Sequence, residues 1–383
     1  MFAPAANILA TREKAAIVFP VARMKQLFAL AGFLAFGPPL VLAQAQDEGA
    51  EEQEVLMYGG TRWTDDNGTP YREQNIEKLT VQNLDLSAED IAGIAQIKSL
   101  SWLEVGFGPE GIKFLSPDTS AWAALTNLET VSICAANLQS SHLEFLAKLP
   151  RLKSLAIYAH IENTWTLDEE TAARIGQLTN LESLTVLHGR GLTDRLVATM
   201  TASGKLTRLS LGSRELTSEV MASVMRQTRL QTLHLGVPSL TDADVARLTA
   251  LKSLTKIELD AKHLTPAVFD HFQKMPQLIW LDLDLKHSSE KSFTTLRQDL
   301  GLLEFLRIDG CPATAAELAP LRGHPSLKAI FLESARATAE ETEALFQQMP
   351  RFEYGKIGKT WVKQKPQLPP PASPIKQDDA AEG

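Results

Sequence analysis

The chain is short of cysteine, short of positive charge and almost without long apolar runs, and each shortage removes a class of protein. Only two cysteines, Cys134 and Cys311, stand in 383 residues. A disulfide-stapled scaffold needs more of them, closer together, and no Cys-x-x-Cys or Cys/His spacing suits a structural zinc ion. Lys and Arg number 38 against 46 Asp and Glu, a formal charge of −8. Four of those cations (Arg12, Lys14, Arg23, Lys25) and one acid (Glu13) precede residue 46, so the remainder is more acidic still. Nucleic acid is disfavoured as a partner, because displacing counterions from phosphates needs a basic surface. A Walker loop, a Gly-x-Ser-x-Gly elbow and a His-Glu-x-x-His helix are also missing, so no catalytic residue, cofactor or metal is assigned and the chain reads as a non-enzyme.

One long apolar run exists, residues 27–43, LFALAGFLAFGPPLVLA. Arg23 and Lys25 precede it, Pro38 and Pro39 interrupt it, and Ala43-Gln44-Ala45 follows. A basic start, an apolar middle and an Ala-x-Ala end are the parts of a secretory signal. The prolines cut the run short of the roughly 20 residues that a spanning helix needs. Residues 1–45 are therefore expected to be a signal peptide, with Met24 as an alternative start. The mature chain is expected to be periplasmic or extracellular, with no integral membrane span.

The rest of the chain repeats. Apolar-x-apolar pairs begin at Leu79, Leu103, Val131, Leu155, Leu184, Leu209, Leu233, Ile257, Leu281, Leu306 and Ile330. Their near-constant step, roughly 24 to 29 residues, is the kind of period that marks a solenoid. One unit reads Leu230-Gln-Thr-Leu233-His-Leu235, then Leu240-Thr241-Asp242, then apolar positions at Val245, Leu248, Leu251 and Leu254. The first part has the period of two of a half-buried strand. The second has helical spacing, opened by Thr241 or Asp242 as an N-cap. The same Leu-Thr opening recurs at Leu192-Thr193, Leu216-Thr217 and Leu264-Thr265.

This pattern resembles the leucine-rich-repeat family, in the subtype with helices on the outer face that includes the ribonuclease inhibitors, and specifically an exported bacterial-type member. The resemblance covers residues 76–352, about 11 units. It implies an α/β solenoid: a curved leucine-rich-repeat horseshoe with a parallel concave sheet and helices on the convex face. One departure is visible. The Asn or Cys that the family places in the turn after the strand is replaced by Ala136, Arg214, Pro238, Lys262, Lys286 and Ala335, with only Cys311 conforming. Backbone groups there must be satisfied by water or by backbone pairing. Around the solenoid, residues 46–59 read as an acidic linker, 60–75 as an N-terminal cap, 353–365 as a C-terminal cap, and 366–383, with five prolines between Pro366 and Pro374, as a disordered tail.

Strands about 4.8 Å apart would stack equivalent residues into columns. One column reads Cys134, Tyr158, Leu187, Gly212, Gly236 and then Asp260, Asp284, Asp309, Glu333. A second gives Glu258, Asp282, Arg307, Phe331, and a third Lys256, Trp280, Phe305, Ala329. The last four units thus present carboxylates beside Trp280, Phe305 and Phe331. This ridge is read as a solvated acidic surface, as a site for a cationic peptide, protein or sugar-bearing ligand with aromatic anchors, or as a set of oxygen ligands bridged by calcium, for which no calcium-loop motif is present. The two long units bring Phe107, Tyr158 and Trp165 towards a rim near Trp102, as a binding lip or a local packing cluster. His263 and His287 share an offset and read as exposed turn histidines, and His234 lies beside Ser210. The expected activity is recognition of a protein or peptide through the concave face, by a chain expected to be a monomer. An envelope-associated structural protein and a regulator of another enzyme are the alternatives.

Overall fold

The computed structural model describes residues 54–58, 75–82, 85–106, 112–159, 166–187, 190–285 and 290–363. The expected signal peptide, most of the expected N-terminal cap, the proline-rich tail, Phe107, Trp165 and His287 lie outside these. The chain divides into two compact units at Leu240 and Thr241.

In the first unit every strand is parallel to its predecessor: β1 (Glu54–Tyr58), β2 (Lys78–Gln82), β3 (Trp102–Val105), β4 (Thr130–Ala135), β5 (Ser154–Ala159), β6 (Ser183–Leu187), β7 (Arg208–Gly212) and β8 (Thr232–Gly236). Strand β1 corrects the reading of residues 46–59 as a linker. Val55 pairs with Leu79, one repeat step later in the chain. The acids of this stretch concealed a Val-x-Met pair in the repeat's own register. The periodic residues form the core: Leu79, Leu103, Val131, Leu155, Leu184, Leu209 and Leu233 are all at most 1% exposed.

The second unit continues the same grammar with β9 (Lys256–Asp260), β10 (Trp280–Asp284), β11 (Phe305–Asp309), β12 (Ala329–Leu332) and β13 (Tyr354–Ile357), all parallel, and closes on antiparallel β14 (Thr360–Lys363). Ile257, Leu281, Leu306 and Ile330 are fully buried. In β13 the equivalent position is Gly355, opposite Ile330. A Cβ there would lie 2.4 Å from the Ile330 carbonyl and 3.1 Å from the Phe352 ring. Phe352, stacked on Phe346 at 3.8 Å, fills the space that the leucine fills elsewhere.

Between strands the chain turns into short helices whose starts follow the Thr signal. Thr193, Thr217, Thr241 and Thr265 are the N-cap residues of four successive coils, each one repeat beyond the last. Capping satisfies amides that have no partner inside the helix. The carboxylate after the cap also ties coil to coil. Asp194 accepts from the Thr217 amide and hydroxyl in the first unit, and Asp242 does the same for Thr265 in the second.

At Ala136 the departure from the family's turn residue is met by backbone pairing, and a similar bond joins two coils at Leu285. The Ala136 amide donates to the Ile112 carbonyl at 2.8 Å, and Leu285 to Asp309 at 2.9 Å. One side-chain rung exists a residue later than the family's place: Asn137 accepts from the Phe114 amide and donates to its carbonyl. Buried His142 and His324 act similarly as linkers. Each ring accepts a backbone N–H at one nitrogen and reaches a neighbouring coil's carbonyl with the other, Ser116 and Leu296 respectively. Burial holds both imidazoles below the ordinary histidine pKa, so the neutral form is the one that fits.

Candidate functional site

Each strand of β9 to β11 alternates strictly, with one face in the core and the other open. The observed register builds the columns that spacing alone suggested. Lys256 pairs with Trp280, Trp280 with Phe305, Phe305 with Ala329 and Ala329 with Tyr354. The middle column runs Glu258, Asp282, Arg307, Phe331, Lys356 and, on the antiparallel strand, Trp361. At the far end of the strands Asp284 pairs with Asp309; Asp260 ends β9 and Glu333 follows β12.

The aromatic residues form a continuous ladder. Trp280 and Phe305 stack face to face at 3.5 Å and 6°, and Phe305 meets Phe331 at 5.6 Å. Phe331 in turn meets Tyr354 and Trp361, each at 6.0 Å and steeply inclined. Phe331, expected as an open anchor, is instead 6% exposed, because the β13–β14 hairpin lays those two rings over it. The accessible rings are Tyr354 and Trp361, at 38% and 56% exposure. Sequence reasoning placed them in the C-terminal cap and not in the ridge, although Tyr354 lies one ordinary repeat step beyond Ala329. Lys256 sits 5.8 Å from the Trp280 ring and Lys356 5.5 Å from Trp361, placing a cation at each end of the ladder. The indole N–H of Trp280 is buried without a hydrogen-bond partner.

The carboxylates are less charged than their number suggests. Arg307 forks onto Asp309, with Nη2 2.7 Å from Oδ2 and Nε donating to Oδ1 at 3.3 Å. Lys356 pairs with Glu333 at 3.3 Å. Asp282, whose side chain is only 15% exposed, lies 3.9 Å from Arg307. Burial first, then Glu258 and Asp309 nearby, push its pKa up to about 8 against the opposing pull of Arg307. Asp282 therefore holds a proton at neutral pH, which removes one of the like charges that adjacent strands would otherwise juxtapose.

Other expected features fall elsewhere. Trp102 begins β3, with Lys78 5.9 Å from its ring, whereas Tyr158 lies two strands away and near the opposite end of its strand. The register therefore does not bring this pair of the expected rim together. Tyr158 has its pKa raised to about 12 by burial, then by Glu104 and Cys134. Burial raises the Cys134 thiol to about 11, which makes it a poor nucleophile. Neither cysteine forms a disulfide, and Cys311 is fully buried. Ser210 Oγ and His234 Nδ1 form a 2.8 Å hydrogen bond between β7 and β8, and His263 is exposed. A Gly-x-Gly-x-x-Gly spacing does occur at Gly106–Gly111, directly after β3. Residues 107–111 of this spacing lie outside the described residues, and Ile112, directly after them, is bridged to Ala135. Among the described residues no cluster of three or more His, Cys, Asp or Glu could hold a metal ion, and no helix is long and apolar enough to cross a membrane.

A family model described as a leucine-rich repeat region matches residues 73–298. The chain belongs to the leucine-rich-repeat family. Strands β11 to β13 carry the repeat beyond the matched residues. Solved structures similar to it include an internalin from Listeria monocytogenes, 18% identical, covering 75% of this chain and 82% of that one at a TM-score of 0.47. The Rad7–Elc1 complex of yeast is 15% identical over 62% of this chain and 72% of that one, at 0.43. A TLR13–ssRNA13 complex is 20% identical over 74% of this chain and 42% of that one, at 0.47. No curated protein matches the chain significantly. Leucine-rich-repeat solenoids commonly serve as protein-binding scaffolds, because stacked strands make an extended surface with no need for a pocket.

Proposed function

We propose that this protein is an exported, non-catalytic binding protein that recognises a protein or peptide through the open face of β9–β13. The observation that carries the reading is the sorting of that face. Trp280 and Phe305 stack at the start of β10 and β11, with Tyr354 at the start of β13, while carboxylates stand at the far end of four successive strands. Two half-buried rings stacked at 3.5 Å stabilise the sheet and also offer the kind of area that anchors interfaces. Export rests on the signal-like residues 23–45, and the mature chain acts in the periplasm or outside the cell.

The test is affinity capture with the full mature chain and with an Asp284→Lys, Asp309→Lys variant of equal thermal stability. A protein retained by the wild type and lost by the variant supports the reading. Equal retention by both removes the ridge from it.

A further inference from the structure

We infer that the ligand segment read by this face is an amphipathic α-helix with a basic stripe, lying across the strands. The inference rests on the reading of the ridge as a binding face. It adds a geometric reason for one secondary structure over the others.

The two outer columns are four residues apart along each strand, about 13 Å, which is close to the 10–12 Å width of a helix with its side chains. A helix seated over the middle column therefore reaches both. Its apolar side meets Trp280, Phe305 and Tyr354, and its opposite flank meets Asp260, Asp284, Asp309 and Glu333.

The repeat along the columns then discriminates. Four carboxylates on consecutive strands span three gaps, about 14 Å. Lysines at i, i+4, i+7 and i+11 of a helix span about 16 Å, a mean step of one turn per strand. Lysines on one side of an extended strand recur every two residues and span about 20 Å over the same four positions, so they fall out of step by the third. Polyproline geometry, at about 9 Å per turn, misses alternate strands.

Charge is consistent with this choice. Asp309 and Glu333 are drawn towards Arg307 and Lys356 in the free protein, so cations arriving on the helix would compete for carboxylates already turned to face a positive group. Lys256 precedes Trp280 in the start column, and Lys356 lies against Trp361 in the middle column, so the apolar contact from β10 to β13 is limited to about three turns.

The test uses the full chain and two synthetic 18-residue peptides of identical Lys, Leu, Ala and Gln composition. In one, Lys and Leu fall on two flanks at helical spacing; in the other they alternate with a period of two. Binding is followed by fluorescence anisotropy at concentrations where the peptides are monomeric, with circular dichroism of the bound peptide. Asp260→Asn with Asp284→Asn removes charge while keeping side-chain size, and its melting temperature checks the fold. The expected result is that the helical pattern binds at least about ten times tighter than the alternating one, gains helicity on binding, and loses about fivefold or more in the Asn variant.

Equal or tighter binding of the alternating peptide, still weakened by the Asn variant, overturns the helix and leaves the ridge standing. Failure of both peptides to bind also overturns the helix, and the capture experiment then decides the ridge alone. Binding of the helical peptide that ignores the Asn variant overturns the inference and counts against the ridge as well.

Discussion

Replacing Asp282 by Asn should stabilise this protein, and should do so increasingly as pH rises. Asp282 lies on β10 between Glu258 and Arg307 of the neighbouring strands, and its folded pKa of about 8 compares with an ordinary value of 3.8. The folded state thus binds this proton more tightly than the unfolded chain does. The stability linked to it is fully present below about pH 4 and is lost as pH rises through the window up to about 8. Each pKa unit corresponds to about 1.4 kcal/mol, so the whole window is worth on the order of 5 kcal/mol. The amide of the Asp282→Asn variant has no proton to lose in this range. The difference in unfolding free energy between variant and wild type should be within about 1 kcal/mol near pH 4.5, the size of one exchanged hydrogen bond. It should then grow in favour of the variant by up to about 1.4 kcal/mol per pH unit, and level off above about pH 8. Urea unfolding of both proteins at half-unit pH steps measures this difference, in which titrations common to both proteins cancel. A difference that is flat with pH, or a variant less stable than wild type at pH 8, would refute the reasoning.

Three further outcomes follow from packing and protonation. Leu306→Ala, at a fully buried repeat position, should cost about 2–5 kcal/mol, with amide exchange accelerated in β10–β12; a loss below about 1 kcal/mol by urea unfolding would contradict its place in the core. Phe305→Ala breaks the ladder at its face-to-face contact and should lower stability by about 1–3 kcal/mol while altering the near-ultraviolet dichroism of Trp280. His324 has a depressed folded pKa, caused first by burial, so its contribution is present above about pH 6.5 and is lost as pH falls through the folded value. His324→Asn should accordingly flatten the fall in urea midpoint between pH 6.5 and 5; an unchanged slope would mean that this ring does not titrate with unfolding.

The coil-by-coil architecture was legible because one physical rule repeats: an aliphatic residue, most often leucine, returns once per coil and must be buried each time. From that spacing the columns of the open face could be laid out, and the strand register reproduces them down to Cys134 opposite Tyr158 and Gly212 opposite Gly236. Legibility failed where another residue took over the leucine's work. At Gly355 the core position is empty of side chain because Phe352 fills it, so the last coil, and with it Tyr354 and Lys356, carried no leucine signal. At Val55 the surrounding acids hid the first strand. The charge state of the ridge was beyond sequence spacing altogether. That Arg307 serves Asp309 more than Asp282, and that Phe331 lies under Trp361, depend on side-chain rotamers and on an antiparallel return that breaks the repeat.

The most direct measurement is hydrogen exchange of the full mature chain, read by mass spectrometry, with and without a partner captured on it. Binding through the open face of the second unit predicts slowed exchange in residues 256–260, 280–284 and 305–309, with the helices between the strands unaffected. Protection confined to the first unit, or to the helices, would contradict it.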